Sequence, residues 1–376
     1  MAALSSSSIA GVTPSGFVTP SSAGEVADVL RSTTGTVVPV GAGTKTGWAA
    51  PPASCDLLLR TTALDRVVEH VPGDLVVVAE AGVPLATLQA RLAEHGQMLA
   101  LDPPEPGATL GGIVSANASG PRRLRYGTVR DLLIGVTVVL ADGTTARSGG
   151  KVVKNVAGYD LGKLYTGAHG ALGVLVSTTW RLHPLPAAAG TVAVGVADAA
   201  EAGRLASLVV RSTLTPSAVE LRWEGGSGEL VVLFESIPAS VDAQSAAAIE
   251  LLGGGERAHE PPPWFGARPT GGVVLRLAYE PHALPRVLAA LPAAAAGTAS
   301  AGTGVAYLSV PADTDLAALR AAIAPYDGSA VVLDRPAGLA VDHWGPVPDS
   351  FGLMTRVKDQ FDPGRRLSPG RLLGGL

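Results

Sequence analysis

The apolar strand Val37-Val38-Pro39-Val40 runs straight into the glycine-rich stretch Gly41-Ala42-Gly43-Thr44-Lys45-Thr46-Gly47. Glycines there permit positive φ and let a ligand approach the main chain, so backbone N–H groups can converge on a phosphate. Thr44 and Thr46 add hydroxyl donors, and Lys45 adds one mobile positive charge. A Walker loop needs four residues between its first glycine and Gly-Lys-Ser/Thr, a spacing absent here. A dinucleotide fingerprint needs its third glycine one residue earlier and a helix behind it, yet Pro51-Pro52 stops any helix. Taken alone, the loop is either a pyrophosphate cradle of another type or an ordinary glycine turn.

With 376 residues the chain has room for two or three domains with proper cores. Its net charge of -4 and lack of a basic block exclude the electrostatic footprint of a nucleic-acid binder. The single cysteine, Cys55, excludes an internal disulfide and an iron–sulfur cluster ligated within the chain, and reads as a small buried apolar residue. No apolar run reaches the roughly 18 to 20 residues of a membrane span. The Ser-rich start lacks the basic and apolar regions of a secretory signal, so a cytoplasmic location is expected.

Short strands and helices alternate through the first half, as in an α/β or α+β domain. A helix capped by Ser21 or Ser22, with Glu25 completing a capping box, runs to Leu30. Strands are expected at 37–41, 57–61, 75–80, 132–140 and 172–182, a helix at 85–95, and a hairpin at Asp142-Gly143. The stretch 184–190, with two prolines and small residues, is expected to break regular structure and separate the domains. Beyond it, strands (191–196, 218–222, 229–234, 273–277, 305–310, 330–333) and helices (198–211, 241–252, 282–291, 314–323) predict an antiparallel sheet covered by helices. The Ala/Gly-rich segment 291–304 reads as a flexible connection.

Two further segments carry small residues at high density. Gly107 to Gly120 offers Thr109, Ser115 and Asn117 as donors among Gly111, Gly112 and Gly120, which suits either a ligand lying on bare main chain or close helix packing. Gly149 to Leu161 includes Lys154, Asn155, Tyr159 and Asp160, and precedes Gly167-Ala168-His169-Gly170-Ala171-Leu172-Gly173-Val174.

Taken together, P-x-G-x-G-T, T-L-G-G-x-x-x-x-N, V-K-N-V-A-G-Y-D-L, G-x-L-G-V and the tail Phe361-Asp362-Pro363 with Leu367-Ser368-Pro369-Gly370-Arg371 resemble flavoproteins of the vanillyl-alcohol-oxidase/PCMH type. Within that group the set is most similar to the FAD-binding subunits of bacterial glycolate oxidase complexes. The resemblance implies an α+β fold: a two-lobed FAD-binding domain over 1–186, an antiparallel-sheet cap over 187–345, and a tail, 346–376, returning to the first domain. It implies FAD contacts from Pro39, Val40, Gly41, Ala42, Gly43, Thr44, Lys45 and Thr46 at the diphosphate. Thr109, Gly111, Gly112, Ser115, Asn117 and Gly120 would line the flavin and ribityl chain, and Gly127 and Val174 the walls. The tail motif departs from the group at Ser368, where an asparagine is usual.

Histidyl-linked relatives carry a histidine just after the loop, where this chain has Lys45-Thr46-Gly47-Trp48, so noncovalent FAD is implied. The G-H-x-G-D-G-N-x-H segment of catalytic partners is absent from 190–345, and His169 stands where such partners tend to have glutamate. His259, His282 and His343 lack metal-ligand spacing, so no metal is expected, and no catalytic residue is assigned. Arg122, Arg123, Arg125 and Arg130 read as a solvated face, or as a docking surface or carboxylate clamp. The implied function is an FAD-binding subunit working with a catalytic flavoprotein subunit and an iron–sulfur subunit on a small 2-hydroxy acid. A self-sufficient oxidoreductase using His343 or Tyr159 as base, and a cofactor-free scaffold, remain open alternatives.

Overall fold

The structure, a computed structural model, describes residues 8–151 and 160–376. Lys154, Asn155 and Tyr159 therefore lie outside the described residues.

Three main sheets organise the chain. A parallel three-stranded sheet has the order Gly16–Val18, Leu57–Arg60, Val37–Val40. An antiparallel five-stranded sheet follows the order Val67–Val71, Val76–Glu80, Val174–Arg181, Leu133–Val139, Thr145–Gly149. Helix Ala23–Ser32 fills the space between them, burying Val26 and Leu30 against Val37, Leu59, Val139 and Val174. Ser22 caps its start, with Oγ accepting from the Glu25 N–H, while the Glu25 carboxylate reaches one residue further back, to the Ser21 N–H, so the expected capping box closes on Ser21 and not on the capping residue. The hairpin at Asp142-Gly143 also forms, with Gly143 at φ +81° and Asp142 accepting from the Thr144 N–H at 2.8 Å.

The third sheet is antiparallel and eight-stranded, from Glu256–Ala258 at one edge to Ser329–Asp334 at the other. Helices Ala199–Val210, Pro238–Leu252, Leu284–Ala289 and Leu316–Ile323 cover one face and bury residues such as Phe234, Leu275 and Leu308. The opposite face carries Tyr307 and Leu333, packed toward Trp48 of the first half.

Two local expectations are corrected. Residues 291–304 are not a flexible connection: Ala296–Ser300 is an inner strand between Ala218–Glu224 and Val305–Val310. Small residues serve close packing there, since a Cβ on Gly297 would lie 2.1 Å from the Tyr307 carbonyl oxygen. Regular structure also resumes earlier than expected after the two prolines, because Ala188–Val196 is one strand whose first residues pair with Phe234–Ser236.

The tail returns to the parallel sheet. Beyond helix Phe351–Phe361, the Val37 N–H donates to the Arg366 carbonyl (2.8 Å) and the Ser368 N–H donates back to the Val37 carbonyl (2.9 Å). A fully buried pair holds this turn: Lys358 Nζ donates to Asp362 Oδ2 (2.6 Å), to the Ala171 carbonyl (2.7 Å) and to the Leu367 carbonyl (2.9 Å). Ser368 adopts φ +45°, a left-handed conformation that asparagine accepts more readily than serine.

Candidate functional site

Strand Val37–Val40 delivers the glycine loop to the seam between the two smaller sheets. Gly43 takes φ +77°, and Thr46 closes the turn by donating from its hydroxyl to the Gly43 carbonyl at 3.2 Å. Gly41 lies so close to the next segment that a Cβ there would sit 2.1 Å from Thr109 Oγ1. Thr109 caps helix Leu110–Ala116, accepting from the Gly112 N–H, and Gly111 lets that helix settle onto Ala81. A third stretch, His169 to Val174, folds over the same place, anchored by the His169 N–H on the Ser115 carbonyl (2.9 Å).

These three stretches line one open cleft. Pro39, Val40, Gly41, Ala42, Gly43, Thr44, Lys45, Thr46, Thr109, Gly111, Gly112, Ser115 and Val174 all reach it. Three expected residues do not line it. Asn117 ends the helix at φ +48° with its Oδ1 buried and unpartnered. Gly120 backs onto Asp102, where a Cβ would meet the carbonyl oxygen at 2.0 Å. Gly127 ends the turn Arg123–Tyr126 at φ +84°, against the Asp131 side chain. Residues without an assigned role at the sequence level also line the cleft: Ile9, Thr61, His169, Gly170 and Arg371.

Lys45 is not the mobile cation expected of it. It is buried, 3.6 Å from Glu105 Oε2, with Nζ donating to Thr44 Oγ1 at 3.1 Å. Burial lowers its pKa, and the Glu105 carboxylate only partly offsets that. Burial likewise pushes His169 down to about 3, with Arg371 adding to the shift, so the imidazole is neutral at physiological pH. It meets the Trp344 ring edge-on at 6.0 Å. His343 lies elsewhere, lining a second cleft with Asp334, Arg335 and Gly47. His259 and His282 are exposed. Among the described residues no group of three His, Cys, Asp or Glu side chains is placed to hold a metal ion.

The arginines after Gly120 do not share one solvated face: Arg122 and Arg123 turn inward. Arg122 makes a two-pronged bond to Glu235 of the large sheet, with Nη2 2.6 Å from Oε1, and Arg125 donates to the Glu235 carbonyl at 2.7 Å. Arg123 is buried, bonded to the Ser119 and Gly120 carbonyls and, at 3.3 Å, to the Tyr307 hydroxyl. From the cap, Arg268 reaches Glu105 at 3.0 Å and lies 3.4 Å above the Tyr307 ring centre. Arg125 and Arg130 are the exposed members of the group. Burial raises the Tyr307 phenol, but Arg268, Arg123 and Arg276 outweigh it and bring the group to about 8. Burial pushes Glu220, bonded to Ser300 Oγ at 2.5 Å, up to about 7, and Asp102 up to about 6. The signal missed in the sequence is one of partnership, since Arg122 and Glu235 lie far apart along the chain.

Residues 14–149 match the FAD binding domain family. The glycolate oxidase subunit GlcE of Escherichia coli is 44% identical over 124 residues, covering 32% of this chain and 35% of that protein. The D-lactate dehydrogenase of Archaeoglobus fulgidus is 32% identical over 261 residues, covering 62% of this chain and 58% of that protein. The chain thus spans between about a third and three fifths of the length of these relatives. Among solved structures, alkyldihydroxyacetonephosphate synthase superposes with a TM-score of 0.70 at 15% identity, over 95% of this chain and 77% of that one. The fold is therefore the two-lobed PCMH-type FAD-binding architecture with an antiparallel-sheet cap. The cleft suits the diphosphate of such a cofactor: a Cβ at Gly41 would close the cradle, and hydroxyls of Thr44, Thr109 and Ser115 surround bare main chain.

Proposed function

We propose that this chain is the FAD-binding subunit of a multi-subunit 2-hydroxy-acid oxidoreductase of the glycolate oxidase kind. It holds FAD noncovalently and exchanges electrons with a catalytic flavoprotein subunit and an iron–sulfur subunit. The observation that carries this reading is the convergence of residues 39–46, 109–115 and 169–174 on one cleft. The likeness to a glycolate oxidase subunit supports the substrate class.

When bound, FAD supplies a ring system that takes up a hydride and releases electrons singly. The chain's own residues bind and orient. Backbone N–H groups of the glycine loop hold the diphosphate, while Thr109 and Ser115 offer hydroxyls beside it. The ionisable groups lining the cleft are Lys45, His169 and Arg371. Two are cations, and His169, at about 3, is too weak a base to take a substrate proton near neutral pH. In this reading deprotonation of the hydroxy acid falls to the catalytic partner. No helix of the described residues is long and apolar enough to cross a membrane, so in this reading any attachment at the inner membrane face runs through the partners.

Tyr307 favours a second reading, a self-sufficient oxidoreductase, because its phenol is lowered to about 8. Anaerobic addition of glycolate to the purified chain, alone and with co-expressed partners, separates the two. The subunit reading expects untagged partners to co-purify and the flavin to bleach only in their presence. Bleaching by the chain alone, abolished in Tyr307→Phe, favours the second reading instead.

A further inference from the structure

Two cations line the cleft, and their surroundings differ. Lys45 has a carboxylate within 3.6 Å, that of Glu105, which also takes Arg268 at 3.0 Å. Arg371 is 4% exposed and has no carboxylate partner among the described residues. Its guanidinium donates only to main-chain carbonyls at the end of the glycine loop: Thr46 at 3.2 and 3.1 Å, and Trp48 at 2.5 Å. Burial lowers its pKa to about 10, which leaves it charged at neutral pH.

A purely structural role would resemble that of Arg366, five residues earlier. Arg366 also bonds only carbonyls, those of Leu30, Thr33 and Ala141. Those of Leu30 and Thr33 lie at the C-terminal end of helix Ala23–Ser32, where the helix dipole supplies negative potential. Arg371 has no helix end beneath it and lines the cleft instead. A buried, hydrogen-bonded positive charge without an anion is costly unless the anion arrives with a ligand.

Resting on the reading of this cleft as a cofactor site, we infer that Arg371, carried in by the returning tail, is the counter-charge for the bound diphosphate. Lys45, the loop's own lysine, already faces Glu105, a carboxylate it shares with Arg268, and is the lesser counter-charge. Docking of the tail and gripping of the diphosphate then become one event, joining the last residues of the chain to a loop formed by residues 41–46.

The test is calorimetric titration of full-length protein with FAD, ADP and riboflavin, with melting of the ligand-free variants as the control for folding. Arg371→Gln keeps an amide donor for the loop carbonyls but drops the charge; Arg371→Lys keeps the charge. FAD and ADP affinities are expected to fall together by at least about tenfold in Arg371→Gln, with riboflavin unchanged and Arg371→Lys losing less. An anchoring role alone would move all three ligands or none. Unchanged ADP affinity in a folded Arg371→Gln protein overturns the assignment, as does a loss confined to FAD. If Arg371→Gln does not fold, Arg371→Lys and Lys45→Met decide: a larger ADP loss in Lys45→Met overturns it. Failure of the wild-type chain to bind FAD at all sinks the cofactor reading itself.

Discussion

The cleft and the seam beneath the cap are built from opposite materials. In the cleft the working groups belong to main chain, laid bare by Gly41, Gly43, Gly111 and Gly112. At the seam they are side chains: Arg122 on Glu235, Arg268 on Glu105, and Arg123 on Tyr307. The contrast teaches how each half of the molecule tolerates change. Bare main chain binds an anion by position, so its weak point is anything that adds volume. A buried ionic seam joins elements by charge, so its weak point is the loss of one partner.

Breaking the seam has the largest expected effect. Glu235→Ala leaves the Arg122 guanidinium, whose side chain is 30% exposed, without its carboxylate. A loss of about 3 kcal/mol in unfolding free energy follows, with flavin content of the folded fraction retained. Denaturant titration with parallel flavin quantitation checks this, and an unchanged midpoint would show that the seam adds nothing.

Crowding the cleft comes next. Gly43→Val strains a residue at φ +77° and displaces at least one N–H donor worth roughly 1.5 to 3 kcal/mol, so FAD affinity falls by at least about tenfold to a hundredfold. Lys45→Ala changes it less, because Glu105 already pairs that charge. Equal losses in fluorescence titrations would contradict a cradle made of main chain.

A smaller effect lies in pH. Glu220 and Asp102 have folded-state pKa values raised to about 7 and about 6, from ordinary values of 4.5 and 3.8. The folded chain therefore keeps protons that the unfolded chain gives up, and stability from these groups declines as pH rises from about 4 to about 7. Because the buried neutral His169 works in the opposite sense below about pH 6.5, the readout is a difference between proteins: from pH 5 to pH 8 the melting temperature of Glu220→Gln should fall less, or rise more, than that of wild type. A slope identical to wild type would place the pH dependence elsewhere.

The same contrast explains what the sequence made legible. Gly41 and Gly43 after an apolar strand, Ser22 with Glu25, and Asp142-Gly143 are local signals whose partners lie within a few residues. Arg122 reads as a surface charge until the fold places Glu235 beside it, and Arg371 is a tail residue until the tail crosses to Thr46. The strand Ala296–Ser300 escaped notice because Ala and Gly signal flexibility in isolation but close packing inside a sheet. Lys45 reads as mobile for a related reason: Glu105 sits in a different segment.

The central claim is that three separated stretches of main chain converge to hold FAD. Its most direct test is the absorption spectrum of the purified full-length chain, followed by acid precipitation and identification of whatever is released. The account predicts flavin bands in the native protein and FAD freed into the supernatant, close to one per chain. A colourless protein that also fails to take up added FAD would contradict it.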